Sequence, residues 1–189
     1  MPKNTSQSNT LSARDAVLGV AFATLAALAL IAALAALAAL APRAEAAKAL
    51  VNLDHRFPVP SPHTYGDGYG AGRNHQGQDV FADCGKRVLA ARKGRVQFKG
   101  RHSAAGNYLV VDGARTRVDY VYMHLRRQGM PGRGESVATG QRIGRVGQSG
   151  NATGCHLHFE LWSQPGWYEG GHPKRSVRKH LRRWDRADG

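Results

Sequence analysis

The sequence predicts a mainly β protein: a compact antiparallel β-sandwich or barrel, with a hydrophobic helix at the N-terminus and a short helix at the C-terminus. Short segments rich in valine and aromatic residues, such as NYLVVDG and HLHFELW, have strand-like alternation and are separated by glycine-containing turns. No helical pattern longer than about ten residues occurs between Gly72 and Trp162. The chain has 189 residues, which favours one domain with a buried core.

Residues 1–46 are predicted to be an export signal. Residues 16–41 carry no charge and are rich in alanine and leucine, and Ala44-Glu45-Ala46 fits a small-x-small cleavage site. The apolar run exceeds the usual signal-peptide core of about 7–15 residues and reaches the roughly 20 residues that span a bilayer. A cleaved signal peptide and a retained membrane anchor are therefore both open. Either one places the rest of the chain in the cell envelope or outside the cell.

The exported part begins with a linker and continues into the main domain. Residues 47–64 are predicted to be the linker, because residues 52–72 are crowded with proline, glycine and other turn residues. An edge strand is expected there only around Val59. Residues 65–170 hold the predicted strands and form the main domain.

Residues 171–189 form a strongly basic tail. From Lys174 onward it holds seven Lys or Arg residues against two Asp, in a chain whose formal net charge is +14. Val177, Leu181 and Trp184 recur at helical spacing, which predicts a short amphipathic helix that packs on the domain. In an exported chain, anionic wall polymers or lipid headgroups are the expected partners of this charge. Nucleic acid is not expected, because no nucleic-acid-binding motif accompanies the charge, and we expect a monomer.

Cys84 and Cys155 are the only cysteines, so only one pairing is possible. Disulfides persist outside the cytoplasm, which favours a bridge, although two free buried thiols are the alternative. A zinc site that uses both cysteines is less favoured, because neither belongs to a CxxC-type pair.

The segment GCHLHFEL places two histidines two residues apart in a predicted strand. Side chains at positions i, i+2 and i+4 of a strand share one face, so His156, His158 and Glu160 are expected to align, with the apolar residues between them facing the core. Alone, the pattern also fits two partly exposed histidines on an edge strand. The pair indicates a metal site only together with other donors.

Further donors lie upstream in GRNHQGQDV, where His75 and Asp79 are four residues apart. The glycines around them argue against a helix, so we expect His75 at the end of a loop and Asp79 in the following strand. As isolated residues they are typical of turns and caps. Combined with His158 they form a set of two imidazoles and one carboxylate, which is what catalytic zinc uses when a fourth position is kept for water.

A third histidine-bearing strand is predicted in DYVYMHL. Strand alternation places Tyr120, Tyr122 and His124 on one face, directed toward a polar side, and the intervening residues on the other. His124 is therefore a further candidate for the site.

These segments together resemble a known family. HQGQD, YMHL and GCHLHFEL, in this order, with GKRVLAARKGRVQFKG and GESVATGQRIGRVGQSGNATG, are similar to the lysostaphin/LytM-type zinc peptidases that cut peptidoglycan. The similarity extends from about Tyr65 to Trp162. It implies a β-rich sandwich with a long groove, of the duplicated hybrid motif type.

The resemblance also implies roles for the five polar residues. His75, Asp79 and His158 would be the ligands of one Zn²⁺ ion, and His156 and His124 would flank it as unliganded catalytic histidines. We expect His156 to act as the base and His124 to stabilise the oxyanion or orient the water, although the two roles could be exchanged. Glu160 would orient a ligand histidine from the same strand face.

The function expected from the resemblance is an exported zinc endopeptidase that hydrolyses peptide cross-links or stem peptides of bacterial peptidoglycan. Some relatives lose metal-binding residues and act only as activators of other wall enzymes, so a catalytically idle wall-binding module is the alternative. All five residues are present here, which favours activity. Cys84 and Cys155 adjoin the two ligand segments, so a bridge between them could tie these segments together.

Overall fold

A computed structural model describes Leu30, residues 32–35, residue 38 and residues 54–72 and 74–188. The chain divides into two compact units, residues 1–49 and residues 50–189. In the first unit the described residues are helical and exposed. Among the described residues, no helix has the length and apolar character needed to cross a bilayer. The predicted signal peptide or anchor lies mostly outside the described residues.

The described residues of the second unit form nine β-strands and a C-terminal helix. The strands are β1 (Thr64–Tyr65), β2 (Gln78–Phe81), β3 (Arg87–Leu89), β4 (Gly94–His102), β5 (Gly106–Gly113), β6 (Val118–Leu125), β7 (Ser136–Val137), β8 (Arg142–Arg145) and β9 (His156–Ser163). The helix comprises Val177–Asp188.

Seven strands form one sheet in the order β1-β2-β9-β6-β5-β4-β7, and β3 and β8 form a second, two-stranded sheet. Every strand pair in the two sheets is antiparallel. The prediction of a mainly β, antiparallel fold is therefore confirmed.

The main core fills the space between the large sheet, the small sheet and the C-terminal helix. Leu157, Phe159 and Leu161 of β9 enter it, as their alternation with the histidines predicts. The same core includes Val88 of β3 and Ile143 of β8. Because these apolar side chains occupy one face of β9, the two histidines and Glu160 are left on the other face.

The C-terminal helix packs on this core through the three predicted residues. Val177, Leu181 and Trp184 are buried at 0%, 0% and 4% relative exposure. The Trp184 ring lies 6.2 Å from the Phe159 ring, centroid to centroid. The basic side chains of the helix remain on the outside, as an amphipathic pattern requires.

The edge strand predicted around Val59 is wrong. Val59 lies in a bend and is fully buried in the core, whereas the edge strand is the two-residue β1 (Thr64–Tyr65). Pro58 and Pro60 flank Val59, and proline cannot donate a hydrogen bond to a neighbouring strand. Burial of Val59 therefore comes from side-chain packing and not from strand pairing.

The predicted face of His124 is also wrong. Tyr120 and Tyr122 are buried in the main core, whereas His124 lies on the opposite face with the other histidines. The cause is a bulge in β6: Tyr122 pairs with Leu109 and Leu125 pairs with Asn107, so two residues of β6 oppose one residue of β5. His124 takes a left-handed backbone conformation at φ +59°. As a result, its side chain leaves the sheet on the face opposite to that of Tyr120 and Tyr122.

Cys84 and Cys155 form a disulfide bond, with their Cα atoms 5.2 Å apart. The bond joins the segment after β2 to the residue directly before β9. Because β2 and β9 are neighbours in the large sheet, the bond closes the end of this strand pair.

Candidate metal centre

Two adjacent strands and a loop bring together three side chains that could hold a metal ion. Asp79 in β2 lies directly opposite His158 in β9, so both side chains leave the same face of the sheet. His75 reaches them from the loop before β2. The Oδ1 atom of Asp79 lies 3.0 Å from Nε2 of His75 and 2.9 Å from Nδ1 of His158. One donor atom from each residue lies within 4.8 Å of the other two.

The second nitrogen of each of these two histidines is already engaged. Nδ1 of His75 donates a hydrogen bond to the Gly68 carbonyl at 2.9 Å. Nε2 of His158 lies 2.8 Å from Oε1 of Glu160, and Oε2 of Glu160 accepts a hydrogen bond from Trp162 Nε1 at 2.6 Å. Such outer contacts fix the ring orientation of metal-binding histidines. Nε2 of His75, Oδ1 of Asp79 and Nδ1 of His158 are left as a convergent set that fits a divalent ion such as zinc.

In the metal-free protein, the three residues shift one another's pKa values. Burial raises the pKa of Asp79, but hydrogen bonds from His158 and His75 outweigh it and hold this pKa well below its usual range. Burial opposes protonation of His158, yet the carboxylates of Asp79 and Glu160 raise its pKa to about 9. The hydrogen bond to Asp79 likewise raises the pKa of His75. A metal ion therefore competes with at least one proton for these donors.

His156 and His124 stand beside this group. Nε2 of His156 lies 3.7 Å from Oδ1 of Asp79, and the His124 ring is 4.7 Å from the His156 ring, centroid to centroid. Both side chains are almost fully buried. The structure thus brings all five sequence-predicted residues into one cluster.

Backbone carbonyls fix the tautomers of these two histidines. Nδ1 of His156 donates to the Gly154 carbonyl at 2.9 Å, and Nδ1 of His124 donates to the Ser149 carbonyl at 2.8 Å. In a neutral ring with a protonated Nδ1, Nε2 carries a lone pair and can accept a proton. Burial lowers the pKa of His124 to about 4, so this ring is neutral at pH 7.

Gln78 supports the site and was not predicted. It is fully buried between His75 and Asp79, and its Nε2 donates to the carbonyls of Gly66, Asp67 and Asp79 at 2.9–3.0 Å. These bonds hold the turn that presents the Gly68 carbonyl to His75. A glutamine at an inward-facing strand position was the signal available in the sequence, because buried amides require partners.

Gly77 allows the two ligand segments to approach each other. A Cβ atom at this position would lie 2.5 Å from the Phe159 carbonyl oxygen and 2.6 Å from Nε2 of His158. At these distances a side chain at position 77 would displace the His158 ring or the backbone of Phe159. The glycine in HQGQD was therefore a usable signal of close backbone approach.

The fold and the convergent donor set fit a β-rich metallopeptidase. The chain belongs to peptidase family M23, whose sequence model matches residues 73–170. The predicted resemblance to the lysostaphin/LytM-type peptidases is confirmed.

Similar proteins cover the same part of the chain. The peptidoglycan DD-endopeptidase ShyA of Vibrio cholerae is 38% identical over 87 residues, which cover 46% of this chain and 20% of ShyA. The match thus spans about a fifth of the length of this curated relative.

Two solved structures share the fold. A zinc-containing peptidase from Vibrio cholerae has a TM-score of 0.53 and 31% identity, over 58% of this chain and 36% of that chain. The catalytic domain of the antimicrobial peptidase lysostaphin from Staphylococcus simulans has a TM-score of 0.55 and 26% identity, over 64% of this chain and 92% of that chain.

Proposed function

We propose that this protein is an exported zinc-dependent endopeptidase that hydrolyses peptide cross-links or stem peptides of bacterial peptidoglycan. The observation that carries the proposal is the convergence of His75, Asp79 and His158 on one point, with His156 and His124 beside it. Family membership and the similarity to a peptidoglycan DD-endopeptidase support the substrate class.

His75, Asp79 and His158 would hold one Zn²⁺ ion. Zinc supplies a Lewis acid that polarises the scissile carbonyl and lowers the pKa of a bound water toward about 7. The protein orients His75 through the Gly68 carbonyl and His158 through the Glu160 carboxylate.

His156 is proposed as the general base. Its Nε2 faces the ligand cluster, and its Nδ1 proton is held by the Gly154 carbonyl, so Nε2 can take a proton from the attacking water and return it to the leaving amine. His124 is proposed to orient that water by accepting a hydrogen bond. Because burial lowers the pKa of His124, protonating its ring at neutral pH is unfavourable, and we therefore assign the proton transfer to His156 and not to His124.

The test is a digest of muropeptides of defined structure by the purified full-length protein, followed by mass spectrometry. We expect a new amine and a new carboxylate at one peptide bond when zinc is present, and no cleavage after chelation. His156→Ala should lower kcat at least about 100-fold. His172→Ala, a change at an exposed histidine outside the cluster, is the matched control and should cleave normally. Cleavage that survives chelation, or full activity of His156→Ala, would contradict the proposal.

The basic C-terminal helix is proposed to attract anionic wall polymers or lipid headgroups. Arg178 and Arg182 lie over the Tyr65 ring, with guanidinium carbons 5.8 and 5.9 Å from its centroid, and both are exposed. Arg178→Gln/Arg182→Gln should weaken co-sedimentation with peptidoglycan sacculi or anionic vesicles at low salt, and the difference should vanish at high salt. Arg87→Gln/Arg142→Gln, with the same loss of charge on the small sheet, is the control.

A further inference from the structure

On the face of the large sheet that carries the histidines, a cavity extends beyond them. This cavity has a volume of about 310 Å³, which is in the range of small-ligand sites, and it runs from His75 and His158 to Trp167 and Tyr168. Trp162 also lines it. We call Trp162, Trp167 and Tyr168 the aromatic shelf.

The shelf presents an exposed ring on a fixed support. Tyr168 is 69% exposed, and its ring contacts the buried Trp167 ring with centroids 4.0 Å apart. Tyr168 also has a left-handed backbone at φ +62°, which is uncommon for a bulky residue. An exposed aromatic side chain held in an unfavourable conformation beside a cavity indicates a binding role.

The loop that carries Tyr168 is anchored to the sheet. The buried carboxylate of Asp119 accepts a hydrogen bond from the Trp167 backbone N–H at 2.8 Å. Within the loop, the Gly166 carbonyl accepts bonds from the Glu169 and Gly171 N–H groups. Little ordering is therefore required when a ligand contacts the Tyr168 ring.

The part of the cavity lining that lies outside the histidine cluster is rich in neutral polar groups. It includes the amides Asn74, Gln76 and Asn151, the buried Glu160 also lines the cavity, and none of the described lining residues is Lys or Arg. In a chain with a net charge of +14 this is informative, because a carboxylate of a stem peptide would be expected to pair with one of the many cations. Amides together with an aromatic ring suit hydroxyl and acetamido groups attached to an apolar ring face.

The distance from the metal ligands also fits a sugar. His158 and Trp162 are four residues apart on β9, which corresponds to about 13 Å at about 3.3 Å per residue. A few residues of an extended stem peptide cover this distance at about 3.3–3.6 Å each. A stem whose scissile bond lies at the metal ligands could thus place the amino sugar to which it is attached near the shelf.

We propose that the aromatic shelf is a glycan subsite, at which Tyr168 stacks on an N-acetylated amino sugar of the peptidoglycan strand while the attached peptide extends to His158. The inference rests on the proposed function for its substrate. It assigns the shelf to the sugar and not to the peptide.

The test compares two substrates that share the same cross-linked peptides, one with the amino sugars attached and one without them. Tyr168→Ala should lower kcat/KM for the sugar-bearing substrate roughly five- to tenfold and leave the sugar-free substrate unchanged. Tyr168→Phe, which keeps the ring, should behave like the unchanged protein. Met130→Ala removes an equally exposed apolar side chain at another surface and is the control. Equal losses on both substrates, or no loss on either, would overturn the inference.

A binding measurement separates this inference from the proposed function. An oligomer of N-acetylglucosamine, added to the full-length protein, should change the tryptophan fluorescence in a saturable manner, because Trp167 contacts Tyr168. The change should be lost in Tyr168→Ala and kept in Met130→Ala. If neither peptide substrate is cleaved but the sugar binds in this pattern, the glycan subsite stands and the proposed hydrolysis fails. If Tyr168→Ala binds the sugar equally well, the subsite is wrong.

Discussion

At the scale of single residues, hydrogen bonds to protein oxygen atoms hold the histidine rings of the site. Each of the four histidines in the cluster has one ring nitrogen committed to an oxygen atom of the protein, and in three of them that atom is a backbone carbonyl. The remaining nitrogens face a common volume. These hydrogen bonds thus fix the orientation of the four rings before any ligand arrives.

Metal affinity should depend on pH because of His158. Its pKa is raised to about 9 in the metal-free protein, so the ring is protonated at neutral pH and zinc must displace that proton. The dissociation constant for zinc should fall by about tenfold for each unit of pH rise between about 6 and 8, and level off above about 9. Competition with a chromogenic chelator measures this dependence.

Glu160→Gln is the matched variant for this prediction. It removes a carboxylate that helps to raise the pKa of His158, so the pH dependence should shift to lower pH. A zinc affinity that does not change with pH would contradict the protonation state assigned to His158.

Gly77→Ala should damage the metal site. The added methyl group would meet the Phe159 carbonyl and the His158 ring, which must then move away from Asp79. Zinc affinity should fall on the order of 10–100-fold, the usual range for lost outer support of a ligand. Gly154→Ala is the control, because the nearest atom to its Cβ is a Phe81 ring carbon at 3.8 Å. Equal zinc affinity of the two variants would count against the tight approach.

At the scale of secondary-structure elements, β6 and β9 are the two strands that supply His124 and His156, the histidines beside the candidate metal ligands. β9 supplies His156 by regular alternation, whereas β6 supplies His124 through its bulge. Without the bulge the His124 side chain would point into the core beside Tyr122. The bulge is therefore part of the site and not an irregularity of the sheet.

The bulge can be tested at His124. Asparagine tolerates the left-handed conformation and valine does not, because of its branched Cβ. His124→Val should therefore have a free energy of unfolding about 1–2 kcal/mol lower than that of His124→Asn. Urea denaturation of both variants measures the difference. Equal stabilities would show that the backbone at this position relaxes when the histidine is removed.

At the scale of the whole molecule, the cationic side chains are unevenly distributed. The two cavities beside His75 and His158 are lined by histidines, carboxylates, neutral amides and aromatic rings, and no described lining residue is Lys or Arg, whereas the C-terminal helix carries a dense cationic surface. The proposed attraction of anionic wall polymers by the helix therefore requires no Lys or Arg in the cavities that His75 and His158 line.

The disulfide should contribute strongly to stability. Cys84 and Cys155 are 71 residues apart. In the chain-entropy model, closing so long a loop lowers the entropy of the unfolded chain and raises its free energy by about 4 kcal/mol. The Cys84→Ser/Cys155→Ser variant should lose about this much free energy of unfolding, measured by urea denaturation in the presence of a chelator. An unchanged unfolding midpoint would mean that the bond does not constrain the unfolded state.

Most of the fold and the members of the site could be predicted from the sequence. Alternation in β9 identified the core residues and the histidine face, because the period of a strand is a local property of the backbone. The spacing of Val177, Leu181 and Trp184 identified the packed face of the helix for the same reason. The types of the donor residues pointed to a metal site before their positions were known.

Only the tertiary structure decided how these residues meet. The bulge at His124 depends on how β6 pairs with β5, and the buried position of Val59 depends on what the small sheet and the C-terminal helix leave to be filled. The carbonyl that holds the His124 ring belongs to Ser149, which is 25 residues away in the sequence. The local sequence determines which conformations a segment can adopt. Packing between distant segments then selects the conformation that forms the site.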